Sequence, residues 1–481
     1  MSIPRNSKAF FLLPAFLTAC GGGGSGAPPP PITGPTATAS VPTATPVGSP
    51  LPGSSNSPAP TSTPTGAGPT PTPAPTPPAA EASTYARDAS DLAAYSAAVN
   101  AQCLELSPAS TRFDTDLLQA NGSYLVSVLP GETVAQAQTL AAHAVTYAVA
   151  VHKNLPGVGF MINPSYPLMV KNQANAPAWW PTSTNYPVVA AYYAALAQGL
   201  TQNGISYDVE DNLVFPSYSG QNYSGVSIGQ LEAGVAENGS NVLTVMSPGY
   251  ENLASEPLTL SENTGQPSLN TTAGYEGYTA AVRAALIVPP GSVTQIGAGS
   301  ADWSSPSYLS AIETVPDLDY YDLHLYPPDV LTTPGGGIAQ VDSLDPAVSG
   351  KPGVITENWN EKDAGDAGNY GASQAPELEQ QDTYSFWAPL DAQYITTTMK
   401  LARCEKLALV NFWYTNELFA YLDYSTASTM TPTQAQSAEG MAGYAAASAG
   451  TLSASGQAFY TGLTGMTAPN ALRRGFQPRR Y

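Results

Sequence analysis

The sequence predicts a (β/α)8 barrel, the TIM-barrel arrangement of the α/β class, preceded by a disordered tether rich in Pro, Thr and Gly. Three observations lead there. Between about residue 120 and residue 450, eight short apolar runs alternate with amphipathic helical stretches, the pattern of successive βαβ units on a parallel sheet. The ~350 residues available suit a closed barrel with long loops. The Gly-rich phosphate turn that doubly wound open sheets often carry is absent.

The chain begins with Arg5 and Lys8 ahead of an apolar stretch, "AFFLLPAFLTA", which reads over residues 1–19 as a secretory signal too short to span a bilayer. It ends in Leu17-Thr18-Ala19-Cys20, which resembles the lipobox of bacterial lipoproteins. That resemblance implies a mature N-terminus at Cys20 bearing acyl chains. It also implies a cell-envelope location, and Gly21 does not look like an inner-membrane retention signal, so the outer membrane or cell surface is expected. Residues 20–83 form the tether: Gly21 to Ala80 contains no charged residue and little that could offset chain entropy by apolar burial. At ~3 Å per residue its proline content makes it a semi-extended arm reaching on the order of 100 Å.

From residue 84 to 465 the pattern is globular. Candidate strands are Tyr124–Leu129, Val158–Ile162, Ile205–Phe215, Val242–Met246, Val293–Ala298, Tyr320–Tyr326, Gly353–Thr356 and Leu407–Trp413. Helical stretches between them include "TVAQAQTLAAHAVTYAVAVHK", "PVVAAYYAALAQGLTQNG", "TAGYEGYTAAVRAALIV" and "DAQYITTTMKLARCEK". "PTQAQSAEGMAGYAAASAG" would close the ring, and "ARDASDLAAYSAAVNAQC" is expected to cross the barrel floor. The basic tail, 466–481, has no assigned role. Cys103 and Cys404 can pair in an oxidising compartment or stand as separate buried thiols.

In such a barrel the chemistry collects at the carboxyl ends of the strands. Strand seven ends "GVITENW", with Glu357 following a buried-type run, where a charge calls for a partner or a function, and Trp359 close behind. Strand six delivers His324 and Tyr326, and strand eight ends at Trp413. Strand four is followed by Tyr250 and Glu251. In strand three Asp208, Glu210 and Asn212 alternate, so they share one side and are expected to point inward. Trp179 and Trp180, in "NAPAWWPTSTNYP" after strand two, offer flat faces on which sugar rings stack.

This order of residues resembles the large clan of retaining glycoside hydrolases built on (β/α)8 barrels. "KPGVITENW" is similar to the clan's strand-seven pattern of Lys-Pro, apolar residues, Thr-Glu and an aromatic. The His-x-Tyr of strand six and the Trp of strand eight also fit. The resemblance implies that Glu357 is the nucleophile, held by Tyr326 or His324, and that a strand-four glutamate is the acid/base. The clan usually shows Asn-Glu there; this sequence offers Tyr250-Glu251. Glu251 is therefore one candidate donor, Glu210 a substitute, and a site without a competent donor the third possibility. The substrate-binding set is His324, Tyr326, Trp359, Trp413, Asn212, Tyr250, Trp179 and Trp180. Asn360-Glu361 and Asn416-Glu417 are read as loop acids.

A formal net charge of −20 and the lack of a basic stripe exclude a nucleic-acid binder. Three histidines, His143, His152 and His324, in no metal-binding spacing, argue against metal hydrolysis. No cofactor is implied. "GVSIG" matches the serine-hydrolase elbow formally, but no strand precedes it, and Ser227 is better explained as the N-cap of "IGQLEAGVAENG". The expected partners are a carbohydrate substrate and, through the lipid, a membrane, with the chain acting as a monomer. The alternative is a degenerate barrel that binds saccharide or serves adhesion without cleaving.

Overall fold

The computed structural model describes residues 76–465 apart from 105, 107–110, 165–184, 212–225, 327–330 and 363–379. Cys20, most of the tether, Trp179, Trp180, Asn212 and the basic tail lie outside the described residues. Eight parallel strands close into one barrel: β1 (Arg112–Asp116), β2 (Gly159–Ile162), β3 (Tyr207–Glu210), β4 (Tyr250–Asn252), β5 (Gln295–Ala301), β6 (Tyr320–Leu325), β7 (Gly353–Asn358) and β8 (Leu409–Phe412). β1 pairs with β8 to complete the ring. Among the described residues, no helix is long and apolar enough to cross a membrane.

Two expected strands are helix instead. Tyr124–Leu129 falls largely in the helix Gly122–Val128, and the first strand is Arg112–Asp116. Val242–Met246 is the end of the helix Ile228–Val245, and β4 is the three-residue Tyr250–Asn252. Both apolar runs pack helix against barrel, while the true strands are polar, β1 carrying its charges inward and β4 its one charge against the helix Ile228–Val245. The third strand, expected over Ile205–Phe215, is observed only over Tyr207–Glu210. Ser227 caps its helix as expected, accepting from the Gln230 backbone N–H while Gln230 answers to the Ser227 N–H.

The first helix, Ala82–Gln102, does not cross the floor. It lies alongside the helix Ala388–Cys404 in the same direction, through Gln393 to Leu92 at 3.1 Å, Tyr95 to Thr398 at 3.2 Å and Lys400 to Asn100 at 2.7 Å. The contact ends in a Cys103–Cys404 disulfide. That pairing follows from two helix ends stopping side by side.

The barrel interior is layered. Arg112 at the base pairs with Asp114 and Asp208 and lies over the ring of Tyr250. Met161, Tyr320, Val354 and Leu409 form a small apolar layer of their own, joined by Tyr250. Gly297 of β5 makes room for it, since a Cβ there would stand 2.3 Å from the Tyr320 ring. Above comes a polar layer in which Asn252 donates to Asp322 at 2.7 Å and to Thr356 at 3.1 Å, and Asn411 donates to the Thr356 carbonyl at 2.7 Å. The large apolar core lies outside the strands, between sheet and helices.

Candidate active site

His324, near the end of β6, is the centre of the upper layer and is fully buried. Its Nε2 lies 3.1 Å from Glu210 Oε1 of β3 and 3.5 Å from Asp322 Oδ2. Its Nδ1 lies 2.8 Å from Glu256 Oε1 and 3.4 Å from Glu357 Oε2. Burial alone would drive the imidazole towards its neutral form, but the Glu210 and Glu357 charges outweigh it and hold the pKa well above the ordinary histidine value. The surrounding carboxylates favour the protonated, imidazolium form of His324.

Glu357 reaches this ring because β7 is irregular. Consecutive residues of a regular strand face opposite sides, yet Thr356 and Glu357 both meet His324, at 3.1 and 3.4 Å. β7 carries one extra residue against β6 between the Asp322–Val354 and His324–Glu357 pairs, and such bulges re-aim side chains. The Tyr326 hydroxyl donates to Glu357 Oε2 at 2.8 Å. Burial first, then the charge of Glu210, raises the Glu357 pKa well above the usual carboxylate value, against the opposing pull of His324 and Tyr326.

Glu256 is the residue that sequence reasoning missed. It lies four residues past β4, with a left-handed backbone (φ 49°), immediately before Pro257 opens the helix Pro257–Thr264. A side chain held at positive φ is uncommon and marks a position fixed by its surroundings. The sequence around it shows no periodic pattern, only an acid directly before a proline that opens a helix. Ser255 Oγ donates to Glu210 Oε1 at 3.3 Å. Glu256 and Glu357 approach one nitrogen, at 2.8 and 3.4 Å, so their facing oxygens are no more than about 6 Å apart.

Of the three acids expected to be catalytic, Glu357 and Glu210 are in the site and Glu251 is not. Glu251 faces outward from β4 against the helix Ile228–Val245. A Cβ on Gly239 of that helix would stand 2.6 Å from its Oε1. Burial, and secondarily the charge of Asp211, raises its pKa well above the ordinary value. Strand alternation explains the displacement: Asn252 takes the inward position, and Glu251 must turn out. Tyr250 opens β4, so it points inward near the floor, stacked edge-on against Tyr320 at 5.2 Å, and cannot line the mouth. Asp208 shares the inward face with Glu210 but is held at the floor by Arg112.

Trp359 and Trp413 are buried beside the strand ends, Trp359 edge-on to Tyr414 at 5.2 Å and under the ammonium of Lys362 at 4.7 Å. Glu417, read as a loop acid, is buried as well, and Glu439 nearby is pushed up to about 8, chiefly by burial. Glu210, His324 and Glu357 offer atoms all within 4.8 Å of one another, a spacing that could hold a metal ion.

No known family model matches the sequence, and comparison with curated proteins finds no match. Solved structures similar to this chain include glycoside hydrolases. They include a GH5_18 enzyme from Streptomyces cattleya in complex with Manb1-4GlcNAc, at 13% identity and a TM-score of 0.44, covering 75% of this chain and 83% of that chain. Another is XEG5B, a GH5 xyloglucan-specific β-1,4-glucanase from a ruminal metagenomic library, at 12% and 0.41, covering 71% and 94%. A third is the β-1,4-mannanase of the sea hare Aplysia kurodai, at 12% and 0.38, covering 64% and 89%. The roles assigned below rest on this chain's own geometry.

Proposed function

We propose that the chain is a retaining glycoside hydrolase in which Glu357 is the nucleophile and Glu256 the acid/base. The observation that carries this reading is the convergence of both carboxyls, one from beyond β4 and one from β7, on the single Nδ1 of His324. A retaining pair stands ~5–5.5 Å apart and an inverting pair ~6.5–9.5 Å, to leave room for water. The bound on the facing oxygens accommodates the retaining spacing.

In the first step Glu256 gives its proton to the glycosidic oxygen, the C1–O bond breaks, and a Glu357 oxygen bonds to C1. In the second, Glu256 takes a proton from water, whose oxygen attacks C1 and releases Glu357. Tyr326 and His324 hold Glu357 by hydrogen bonding and charge, stabilising it as leaving group and as anion. For Cys20 and the tether the reading is a lipid-anchored enzyme of the cell envelope, held away from the membrane surface. Cys20→Ser should release it into the soluble fraction.

The test uses the soluble domain on a glycan panel, with Glu357→Gln and Glu256→Gln. Each variant should lose at least about 10³-fold in turnover while folding normally, in line with the usual weight of acid–base and nucleophilic groups. Azide should rescue Glu256→Gly on an activated aryl glycoside, because an anion enters where the acid/base has left space. Full turnover by Glu357→Gln would remove the nucleophile assignment. Glycan binding without turnover in the parent would leave a saccharide-binding barrel.

A further inference from the structure

The upper chamber holds more acid than bond cleavage requires. Besides Glu256 and Glu357, Glu210 projects into it from β3, and Asp322 lies just beneath on the same histidine. Asp116, at the end of β1, is close enough to feel the charge of Glu210. Among the described residues, His324 is the one basic side chain that touches these acids.

Their hydrogen bonding is incomplete in one direction only. Glu210 uses Oε1, which receives His324 at 3.1 Å and the Ser255 hydroxyl at 3.3 Å. Its Oε2 is buried with no hydrogen-bond partner, as are Oε2 of Glu256 and Oε1 of Glu357. Three carboxyls around one histidinium each keep an acceptor free. The mechanism gives Glu210 no proton to carry, and a buried carboxylate oxygen accepts and does not donate, so the ligand group that meets Glu210 Oε2 brings a donor, and a positively charged donor makes the stronger bond.

Position narrows the group concerned. Oxygens of Glu210 and Glu357 lie within 4.8 Å of each other. With Glu357 directed at C1, Glu210 is in reach of a substituent on the adjoining carbon, C2. A uronic acid would add a like charge. An N-acetyl group offers one N–H donor but no charge, and its carbonyl adds a further acceptor.

We propose that Glu210 binds the C2 substituent of the reacting sugar, and that this sugar is a 2-amino-2-deoxyhexose with a free, protonated amine. The choice of carbon rests on the reading of Glu357 as nucleophile; the preference for a cationic donor rests on the acids themselves.

The test is calorimetric binding to Glu256→Gln, which retains Glu210 and Glu357, alongside cleavage by the parent. Glucosamine, N-acetylglucosamine and glucose oligomers of equal length are used, in β-1,4 and β-1,6 linkage, with matching α- and β-4-nitrophenyl glycosides and the glucuronides. The amine form should bind about 10-fold or more tightly than the glucose form, the scale of one charge-assisted hydrogen bond. Introducing Glu210→Gln should bring that ratio close to one. Should Glu210→Gln fail to fold, the ratio in the parent decides. Equal or weaker binding of the amine, no binding of any oligomer, or a preference that survives Glu210→Gln overturns the inference. Cleavage of neutral glycosides without amine preference leaves the hydrolase reading standing and removes this one; amine-selective binding that is lost in Glu210→Gln, with no cleavage, removes the hydrolase reading and the assignment to C2 with it, and leaves only the amine preference of Glu210.

Discussion

The hydroxyl of Tyr326 donates to Glu357 Oε2 at 2.8 Å, so the proposed nucleophile is held by a neutral donor as well as by His324. That bond favours the ionised carboxylate, and its loss leaves the buried acid with less support. Tyr326→Phe should lower kcat by about 10- to 100-fold, the scale of a hydrogen bond to a charged group. The same change should move the acidic limb of the pH–rate profile upward, because the hydrogen bond lowers the Glu357 pKa. A profile unmoved in Tyr326→Phe would mean that Glu357 does not govern that limb.

Glu251 and Glu256 stand five positions apart and on opposite sides of the strand wall. Glu251→Gln keeps the shape of a buried acid whose pKa is already raised, so kcat should stay within about twofold of the parent, as for a change away from the chemistry. Glu256→Gln should abolish turnover. The reverse outcome, read by initial rates on one substrate, would move the acid/base role back to Glu251.

Stability should fall as pH rises from 5 to 8. Burial raises the pKa of Asp211, Glu251 and Glu357, and lifts Asp322 and Asp382 to about 6 and Glu439 to about 8. Between the unfolded value, ~4, and the folded one, such an acid binds more protons in the native state, so rising pH removes stability. His324 acts in the same sense. Its raised pKa gives stability that is complete below ~6.5 and lost as pH climbs through the folded value. Calorimetry at pH 5, 6, 7 and 8 should give a descending Tm; a flat or rising series would contradict the burial of these acids.

The Cys103–Cys404 bridge spans 301 residues and joins the first helix to the one preceding β8. Closing so long a loop in the unfolded chain is worth on the order of 5 kcal/mol in the chain-entropy account. Reductant, or a Cys103→Ser, Cys404→Ser double variant, should therefore lower Tm by several degrees while leaving the substrate preference unchanged. Equal Tm values with and without reductant would show the thiols unpaired in solution.

Much of the fold was legible because the outward face of most strands is apolar and bounded by turn residues. β2, β5, β6, β7 and β8 could be placed to within a few residues. β1 and β4 could not. "RFDTD" and "YEN" carry their charges inward or against a helix, because the interior of this barrel is partly polar, and the apolar runs beside them make better helices. In the site, His324 lies on β6, Tyr326 directly after it and Glu357 near the end of β7, so all three could be read by position, although the bulge that turns Glu357 towards His324 could not. Glu256 follows no periodic run. It sits in a turn whose left-handed geometry no hydrophobic pattern encodes, and only tertiary contact with His324 reveals it.

Behind the site lies a second buried charge, and it offers a test of how far Trp359 depends on its support. Lys362 Nζ pairs with Asp391 at 2.7 Å and Asp382 at 2.9 Å, and lies 4.7 Å from the Trp359 ring. Asn360 and Tyr421 add hydrogen bonds to Asp391 at 3.0 and 2.7 Å. Lys362→Met would leave two buried carboxyls without their cation, at a cost of about 3–5 kcal/mol. Combining it with Asp382→Asn and Asp391→Asn should recover much of that loss, since the unpaired charges go with the cation. If the triple variant regains stability but keeps a raised KM, the ammonium positions Trp359 for sugar binding, two residues beyond the proposed nucleophile. If stability and KM recover together, the network serves the fold alone.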